Sequence, residues 1–349
     1  MKRRITLIIC LIQGLVALGW GLNFKQVASF PFGVVTGYIK GIDANHDGYE
    51  DLIFTTFLRR GDSARVVYFG YRPFNQYIFE DSIGPPSRFW DVGDLDGDSL
   101  LDVVAQRGNL PRGLRVVEPA DYWTFPKIEV WTWPYEWIGN GSQAMYITDL
   151  DKDSLREILT ADAQVVYVFE NRGDNQYQKV FSDTIPILPT PPFAFGDFDG
   201  DGWREFALGT YGGSLGSIAY VYECIGDDQY RMTWFDTLKT ANMHDTISGP
   251  DLDGDGKLEF IFGSLRTGPS SWSAQLWICE STGNDQYEVI FADSLSVTDR
   301  GAYVVLSDCG DVDRDGRPEL VWAIDRDWMV YKSPGNNQFQ RVFRMRCHT

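Results

Sequence analysis

"FGDFDGDGWREFALGT", residues 195–210, places aspartates at 197, 199 and 201, a glycine at 202 and a glutamate at 205, then runs into an apolar stretch. Taken alone it reads either as a cation-binding loop or as a solvated acidic turn between strands. Recurrence separates the two. "DANHDGYED" starts at Asp43, "DLDGDSLLD" at Asp94, "DLDKDSLRE" at Asp149, "DFDGDGWRE" at Asp197, "DLDGDGKLE" at Asp251 and "DVDRDGRPE" at Asp311. The copies lie 51, 55, 48, 54 and 60 residues apart, the regular period of a repeat architecture.

A second mark follows each loop. It reads "FNQYIFEDS" at Gln76, "DNQYQKVFSDT" at Gln176, "DDQYRMTWFDT" at Gln229, "NDQYEVIFADS" at Gln286 and "NNQFQRVF" at Gln338, and decays to "ADYWTF" around Asp121 in the second repeat. Within the fourth repeat, "FAFGD", "EFALGTY", "SIAYVYEC" and "YRMTWFDT" are short runs rich in β-branched and aromatic residues, bounded by turn formers, and so read as strands. No stretch after residue 22 keeps a helical period. Four antiparallel strands per repeat, six times over, predict an all-β chain: a β-propeller of six four-stranded blades. The N-terminal "NFKQVASF" and the C-terminal "QFQRVF" both resemble a fourth strand, which leaves ring closure and a seventh blade open. A parallel β-helix is excluded because its coils are far shorter than this period.

Alternating carboxylates in a tight turn converge on one point, a glycine at position 6 supplies the bend, and the position 7 carbonyl can turn inward. Such a shell of hard oxygens suits Ca²⁺ better than Mg²⁺. The candidate ligands are Asp43, Asn45, Asp47, Tyr49 and Asp51 in loop one, and Asp94, Asp96, Asp98, Leu100 and Asp102 in loop two. Loop three offers Asp149, Asp151, Asp153, Leu155 and Glu157; loop four, Asp197, Asp199, Asp201, Trp203 and Glu205. Loop five offers Asp251, Asp253, Asp255, Lys257 and Glu259, and loop six Asp311, Asp313, Asp315, Arg317 and Glu319, with Tyr49, Leu100, Leu155, Trp203, Lys257 and Arg317 acting through their carbonyls. Loops four to six are complete. Loops two and three carry Ser99 and Ser154 where glycine is wanted, loop one has Asn45 for an aspartate, and His46 sits at a position that points outward.

Those loops, with "FGDFDGDGWREFALG", "DLDGDGKLEFIFG" and "DVDRDGRPELVWA" as the clearest, resemble the FG-GAP/VCBS repeats of integrin-α-type propellers over about residues 35–345. The resemblance implies Ca²⁺ in the turn between the first and second strands of each blade. It implies no enzyme activity, since such propellers serve in adhesion proteins, in carbohydrate-active enzymes and in secreted proteins of other roles.

The chain has 349 residues, 44% hydrophobic and 15% aromatic, enough for a large core. Residues 1–21, "MKRRITLIICLIQGLVALGWG", have the basic start, short apolar run and small-residue end of a secretory signal, with cleavage after Gly19 or Gly21, leaving residues 22–349 as one propeller domain. Its loss takes the formal net charge from −18 to −21, a surface unsuited to nucleic acid. No later segment is long and apolar enough to span a membrane. A secreted, extracellular, periplasmic or cell-surface location is expected. Cys224, Cys279, Cys309 and Cys347 remain after removal of Cys10, and either three alternative pairings or buried free thiols fit.

Other motifs carry less. "GGSLG" around Ser214 matches a nucleophile-elbow pattern but sits between two expected strands, where the elbow needs a helix. Two Arg-Gly-Asp triplets, Arg60–Asp62 and Arg172–Asp174, fall in expected hairpin turns. Trp131, Trp133, Tyr135 and Trp137 alternate along one strand face and read as blade-to-blade packing, with a sugar-stacking patch as the sharper alternative. No catalytic constellation is evident. The expectation is a non-enzymatic, calcium-stabilised binding or adhesion module for a protein or glycan docked on the face opposite the loops. The alternative is a carbohydrate-active lyase or hydrolase, for which Arg88, Trp90, Asp91, His244 and Asp245 lie in blade-connecting segments.

Overall fold

The computed structural model describes residues 35–56, 65–72, 76–84, 87–107, 113–134, 145–212, 216–238, 242–267, 272–297, 305–324 and 327–346. These form six antiparallel sheets of four consecutive strands, the blades of a propeller. Blade one is β1 (Val35–Ile42), β2 (Asp51–Thr56), β3 (Arg65–Arg72) and β4 (Gln76–Ile83); blade two is β5 (Ser87–Gly93), β6 (Asp102–Arg107), β7 (Gly113–Glu118) and β8 (Ile128–Pro134). Blade three is β9 (Met145–Thr148), β10 (Glu157–Asp162), β11 (Val165–Asn171) and β12 (Tyr177–Thr184); blade four is β13 (Pro189–Gly196), β14 (Glu205–Thr210), β15 (Ser217–Gly226) and β16 (Gln229–Leu238). Blade five is β17 (Asn242–Ser248), β18 (Phe260–Thr267), β19 (Trp272–Gly283) and β20 (Gln286–Val297); blade six is β21 (Val305–Gly310), β22 (Glu319–Ile324), β23 (Asp327–Gly335) and β24 (Gln338–Arg346). The "QFQRVF" segment is therefore the fourth strand of its own blade, whereas "NFKQVASF" and the signal-like N-terminus lie outside the described residues. Among the described residues no helix is long and apolar enough to cross a membrane.

Burial follows strand position. Middle strands are the most buried: β10, β14 and β7 are buried at every residue, because both faces of a blade's middle are covered by neighbouring blades. Their sequences, "EILTAD", "EFALGT" and "GLRVVE", are correspondingly poor in exposed polar alternation. The outer β12 alternates between half-buried and exposed. Every third-to-fourth strand pair also carries a register shift, for example between Val168 and Phe169, between Val221 and Tyr222 and between Ile278 and Cys279.

The aromatic half of the second sequence mark packs the seams. Its ring (Tyr177, Tyr230, Tyr287 or Phe339) meets the fourth-strand aromatic of the preceding blade: Trp131–Tyr177 at 5.2 Å, Phe181–Tyr230 at 5.4 Å, Trp234–Tyr287 at 5.9 Å and Phe291–Phe339 at 5.4 Å between centroids. Each such pair adds about 0.5–1.5 kcal/mol beyond its buried area. Trp131 and Trp133 both pack on Phe169 of blade three, so the packing reading holds for them; Tyr135 and Trp137 lie outside the described residues. The Asp of the "SDT" and "ADS" ends also acts at seams, where Tyr222 and Tyr331 donate their hydroxyls to Asp183 and Asp293 at 2.8 and 2.7 Å.

Candidate metal centres

Each acidic loop joins the first and second strands of its blade, so all six sit on one end of the propeller. The loop backbone bends twice. Position 6 is left-handed in every copy (Gly48, Ser99, Ser154, Gly202, Gly256, Gly316), and so is position 4 (His46, Gly97, Lys152, Gly200, Gly254, Arg314). The second of these bends was not anticipated from sequence, although glycine at three of the six position 4 sites was its signal. The bends aim the loop's own N–H groups at its carboxylates. In loop five, Gly254 and Asp255 donate to Asp251 Oδ1 at 2.6 and 3.1 Å, Gly256 donates to Asp251 Oδ2 at 2.9 Å, and Lys257 donates to Asp255 Oδ1 at 3.0 Å.

The position 9 carboxylate starts the second strand and is completely buried in each loop: Asp51, Asp102, Glu157, Glu205, Glu259 and Glu319. One oxygen always accepts the position 2 N–H, as in Phe198 to Glu205 at 2.6 Å and Leu252 to Glu259 at 2.8 Å. The other oxygen is buried and accepts no hydrogen bond in Asp102, Glu157, Glu205 and Glu259. Asp197 Oδ1 and Asp149 Oδ1 are stranded in the same way. Asp197, Asp199, Asp201 and Glu205 bring one carboxylate oxygen each to within 4.8 Å of one another, as do Asp311, Asp313, Asp315 and Glu319, and also Asp94, Asp96 and Asp98. Burial, then the neighbouring aspartates, push these acids up: Asp51 to about 6, Asp102 and Glu259 to about 8, Glu157 and Glu205 to about 9, against the position 2 N–H that favours the anion. Stranded anionic oxygens converging in a tight, oxygen-only turn fit a hard divalent cation.

The loops are not alike. In loop one Asp51 has both oxygens satisfied, by Ala44 and Tyr71 at 3.1 Å each, and the Asn45 amide donates to Asp47 at 3.3 Å. His46 is turned outward and stacks on Tyr122 at 3.7 Å. In loop six a side chain already supplies the cation: Lys332 Nζ lies 2.6 Å from Asp313, 2.7 Å from Asp315 and 3.0 Å from Glu319. Its ammonium holds the Asp315 carboxyl below the usual range. Loop six, complete in sequence, is thus partly neutralised by the chain itself.

Position 3 reaches out of the loop. Asp96, Asp151, Asp199 and Asp253 each accept a backbone N–H from the following blade's hairpin turn, from Asn175, Asp228, Asp285 and Asn337 at 2.7, 3.1, 2.8 and 2.6 Å. All four turn residues are left-handed. The loops and the Asn-Gln-Tyr turns therefore share one face, as a meander requires. Sequence reading overlooked the third-strand residue beneath them: Glu118, Glu170, Glu223, Glu280 and Lys332 occupy one register position, with Gly70 in blade one. Its signal was an acid six residues ahead of Gln176, Gln229 and Gln286.

Several motifs resolve into structure. Arg172 of the second Arg-Gly-Asp triplet is ion-paired to Glu170 and Asp228; the first triplet lies outside the described residues. Gly212 and Gly216 connect β14 to the adjacent antiparallel β15, so the "GGSLG" segment leads into a strand rather than a helix, and Ser214 lies outside the described residues. Cys224, Cys279 and Cys309 are free thiols, the first two buried; Cys347 lies outside. Asp91 is ion-paired to Lys40 and accepts the Ile147 N–H at 3.1 Å, joining the inner strands of blades one, two and three. Asp245 is buried beside Asp308, with burial pushing it up to about 8. Of Arg88, Trp90 and His244 only the backbone is described.

The chain is a β-propeller carrying FG-GAP-like repeats: the family model of that description matches residues 149–208 and 251–322, the third-to-fourth and fifth-to-sixth loop regions. Among solved structures, the periplasmic gluconolactonase of Pseudomonas aeruginosa is similar in fold, at 13% identity and a TM-score of 0.59 over 93% of this chain and 89% of that one. A protein from Lactobacillus plantarum is similar at 12% identity and a TM-score of 0.57, covering 90% and 86%. No curated protein matches the chain.

Proposed function

We propose that this chain is a secreted or periplasmic propeller whose acidic loops bind Ca²⁺ as structural ions, and which acts as a non-enzymatic binding or adhesion module for a protein or glycan. The observation that carries this reading is the buried, unpartnered second oxygen of the position 9 carboxylate in loops two to five. Leaving such a group without a donor costs about 1–3 kcal/mol, and a cation in the loop removes that penalty. The acids of this chain are thereby used for holding the blades. A periplasmic neighbour in the same fold agrees with the signal-like N-terminus.

A ligand surface is offered by an aromatic step beside loop one. Trp123 is 67% exposed and stands edge-on to Tyr122 at 5.0 Å, and Tyr122 stacks on His46. Exposed rings arranged in this way suit the apolar face of a sugar or a partner's aromatic side chain. This patch is on the loop face. The opposite face, where docking is expected from sequence, is built largely of segments outside the described residues.

A glycan array probed with and without EDTA, using the wild-type chain and Trp123→Ala, tests the proposal. Calcium-dependent binding without turnover supports it, and loss of that binding in Trp123→Ala assigns it to the aromatic step. Cleavage of an arrayed glycan overturns it in favour of the second reading, a carbohydrate-active lyase or hydrolase, which rests on the fold shared with a gluconolactonase.

A further inference from the structure

The hairpin turn of blade three leans across the seam onto loop two. Asn175 donates its N–H to Asp96 Oδ2 at 2.7 Å, while Asp96 Oδ1 faces the Asp98 N–H inside the loop at 3.4 Å. Glu118, at the end of β7, completes a group in which oxygens of Asp96, Glu118 and Asp174 lie within 4.8 Å of one another. Glu118 is only 7% exposed and its Oε1 is buried and accepts no hydrogen bond, while the Asn175 amide nitrogen donates to Asp174 Oδ1 at 2.9 Å.

The next two seams carry a third-strand glutamate in the same place, have an aspartate (Asp228 or Asp285) where this seam has Asn175, and balance these acids with a guanidinium. Arg172 joins Glu170 to Asp228, and Arg231 joins Glu223 to Asp285 at 2.8 and 3.0 Å. Blade two has no counterpart to either arginine. Ala120 stands two residues after Glu118, where Arg172 follows Glu170, and Ile128 pairs with Glu118 where Arg231 pairs with Glu223. No ion pair reaches Asp96, Glu118 or Asp174 among the described residues. Three carboxylates, one of them buried with a stranded oxygen, face one another with no cation from the described residues.

We propose that the seam between blades two and three is a divalent-cation site of its own, formed by Asp96 Oδ2, Glu118 and Asp174, with Asp96 bridging it to loop two. An all-oxygen donor set of carboxylates selects a hard cation such as Ca²⁺. The ion joins two blades where the following seams use arginine. Glu118 and Asp174 lie outside every acidic loop, so variants at these positions test this site apart from loop two, with which it shares Asp96.

The test counts bound Ca²⁺ per chain by calorimetric titration and by elemental analysis after dialysis. The wild-type chain is compared with Glu118→Gln, Asp174→Asn and Ile128→Arg at the seam, and with Asp94→Asn in loop two. Asp174 is in an exposed turn and Ile128 is 50% exposed, so these two variants keep the fold even where Glu118→Gln does not, and circular dichroism verifies this. Each folded seam variant is expected to bind one Ca²⁺ fewer than wild type, with Ile128→Arg supplying the guanidinium that blade four uses. Asp94→Asn is expected to lose the loop-two ion and keep the seam ion. Folded Asp174→Asn and Ile128→Arg that bind as many ions as wild type, whether several or none, overturn the seam site; a loss confined to Asp94→Asn leaves the loop reading standing without it.

Discussion

Ser99 and Ser154 hold left-handed backbones at φ 72° and 78°, a conformation that glycine adopts freely and an L residue does not. The left-handed cost of about 1–2 kcal/mol is partly offset by the greater freedom glycine has in the unfolded chain. Ser99→Gly and Ser154→Gly are therefore expected to stabilise the protein by about 0.5–1 kcal/mol each, read from denaturant midpoints with and without Ca²⁺. Lys332 tests the opposite principle, a side chain standing in for an ion. Lys332→Met leaves Asp313, Asp315 and Glu319 uncompensated, so the variant should melt below wild type in EDTA and bind one more Ca²⁺ in calorimetric titration. Equal ion counts for the two proteins would show that Lys332 does not compete for loop six.

Blades depend on their neighbours. Phe206 on β14 is fully buried and stacks on Tyr222 of β15 at 4.9 Å with planes 3° apart, while Tyr222 reaches across the seam to Asp183 of blade three. Phe206→Ala removes a ring from close-packed surroundings and is expected to cost about 3–5 kcal/mol. Tyr222→Phe removes the seam hydrogen bond and keeps the ring, for an expected cost of about 1 kcal/mol. Chemical denaturation of both variants checks these values, and a Tyr222→Phe loss as large as that of Phe206→Ala would mean the Asp183 bond carries the seam.

At the scale of the whole propeller, the proposed Ca²⁺ ions would compete with protons for the same carboxylates. Asp102, Glu157, Glu205 and Glu259 have folded-state pKa values of about 8, 9, 9 and 8, above the ordinary unfolded range near 4. A raised folded-state value means the native state holds the extra protons. Without metal, stability is full below the unfolded pKa and declines as pH rises from about 4 to about 9. Ca²⁺ binds the deprotonated form, so its stabilisation grows over that same window. In EDTA the melting temperature should fall from pH 5 to pH 9, whereas in about 1 mM Ca²⁺ it should hold or rise; a chelated protein that is more stable at pH 9 than at pH 5 would contradict this. On the proposed reading, at about 1 mM Ca²⁺ and a site constant near 0.1 mM each ion would contribute about 1.4 kcal/mol, so several sites would rival a domain's net stability.

The blade count, the strand pattern and the clustering of the loop carboxylates were legible in the sequence because each depends on residues within about ten positions of one another and the pattern recurs six times. The left-handed position 4 was partly legible, through Gly97, Gly200 and Gly254. What joins one blade to the next was not. Asp96, Glu118 and Asp174 are far apart in the chain, and meet only because β11 and β12 return their hairpin turn beside loop two. Lys332 reads as one more lysine until β23 sets it over three carboxylates that precede it. A repeated strand-and-loop unit follows from local sequence, since backbone bends and carboxylate spacing are set within a few residues. Which of those carboxylates face a lysine or arginine and which face none among the described residues depends on how neighbouring blades pack, because those partners come from other strands and other blades.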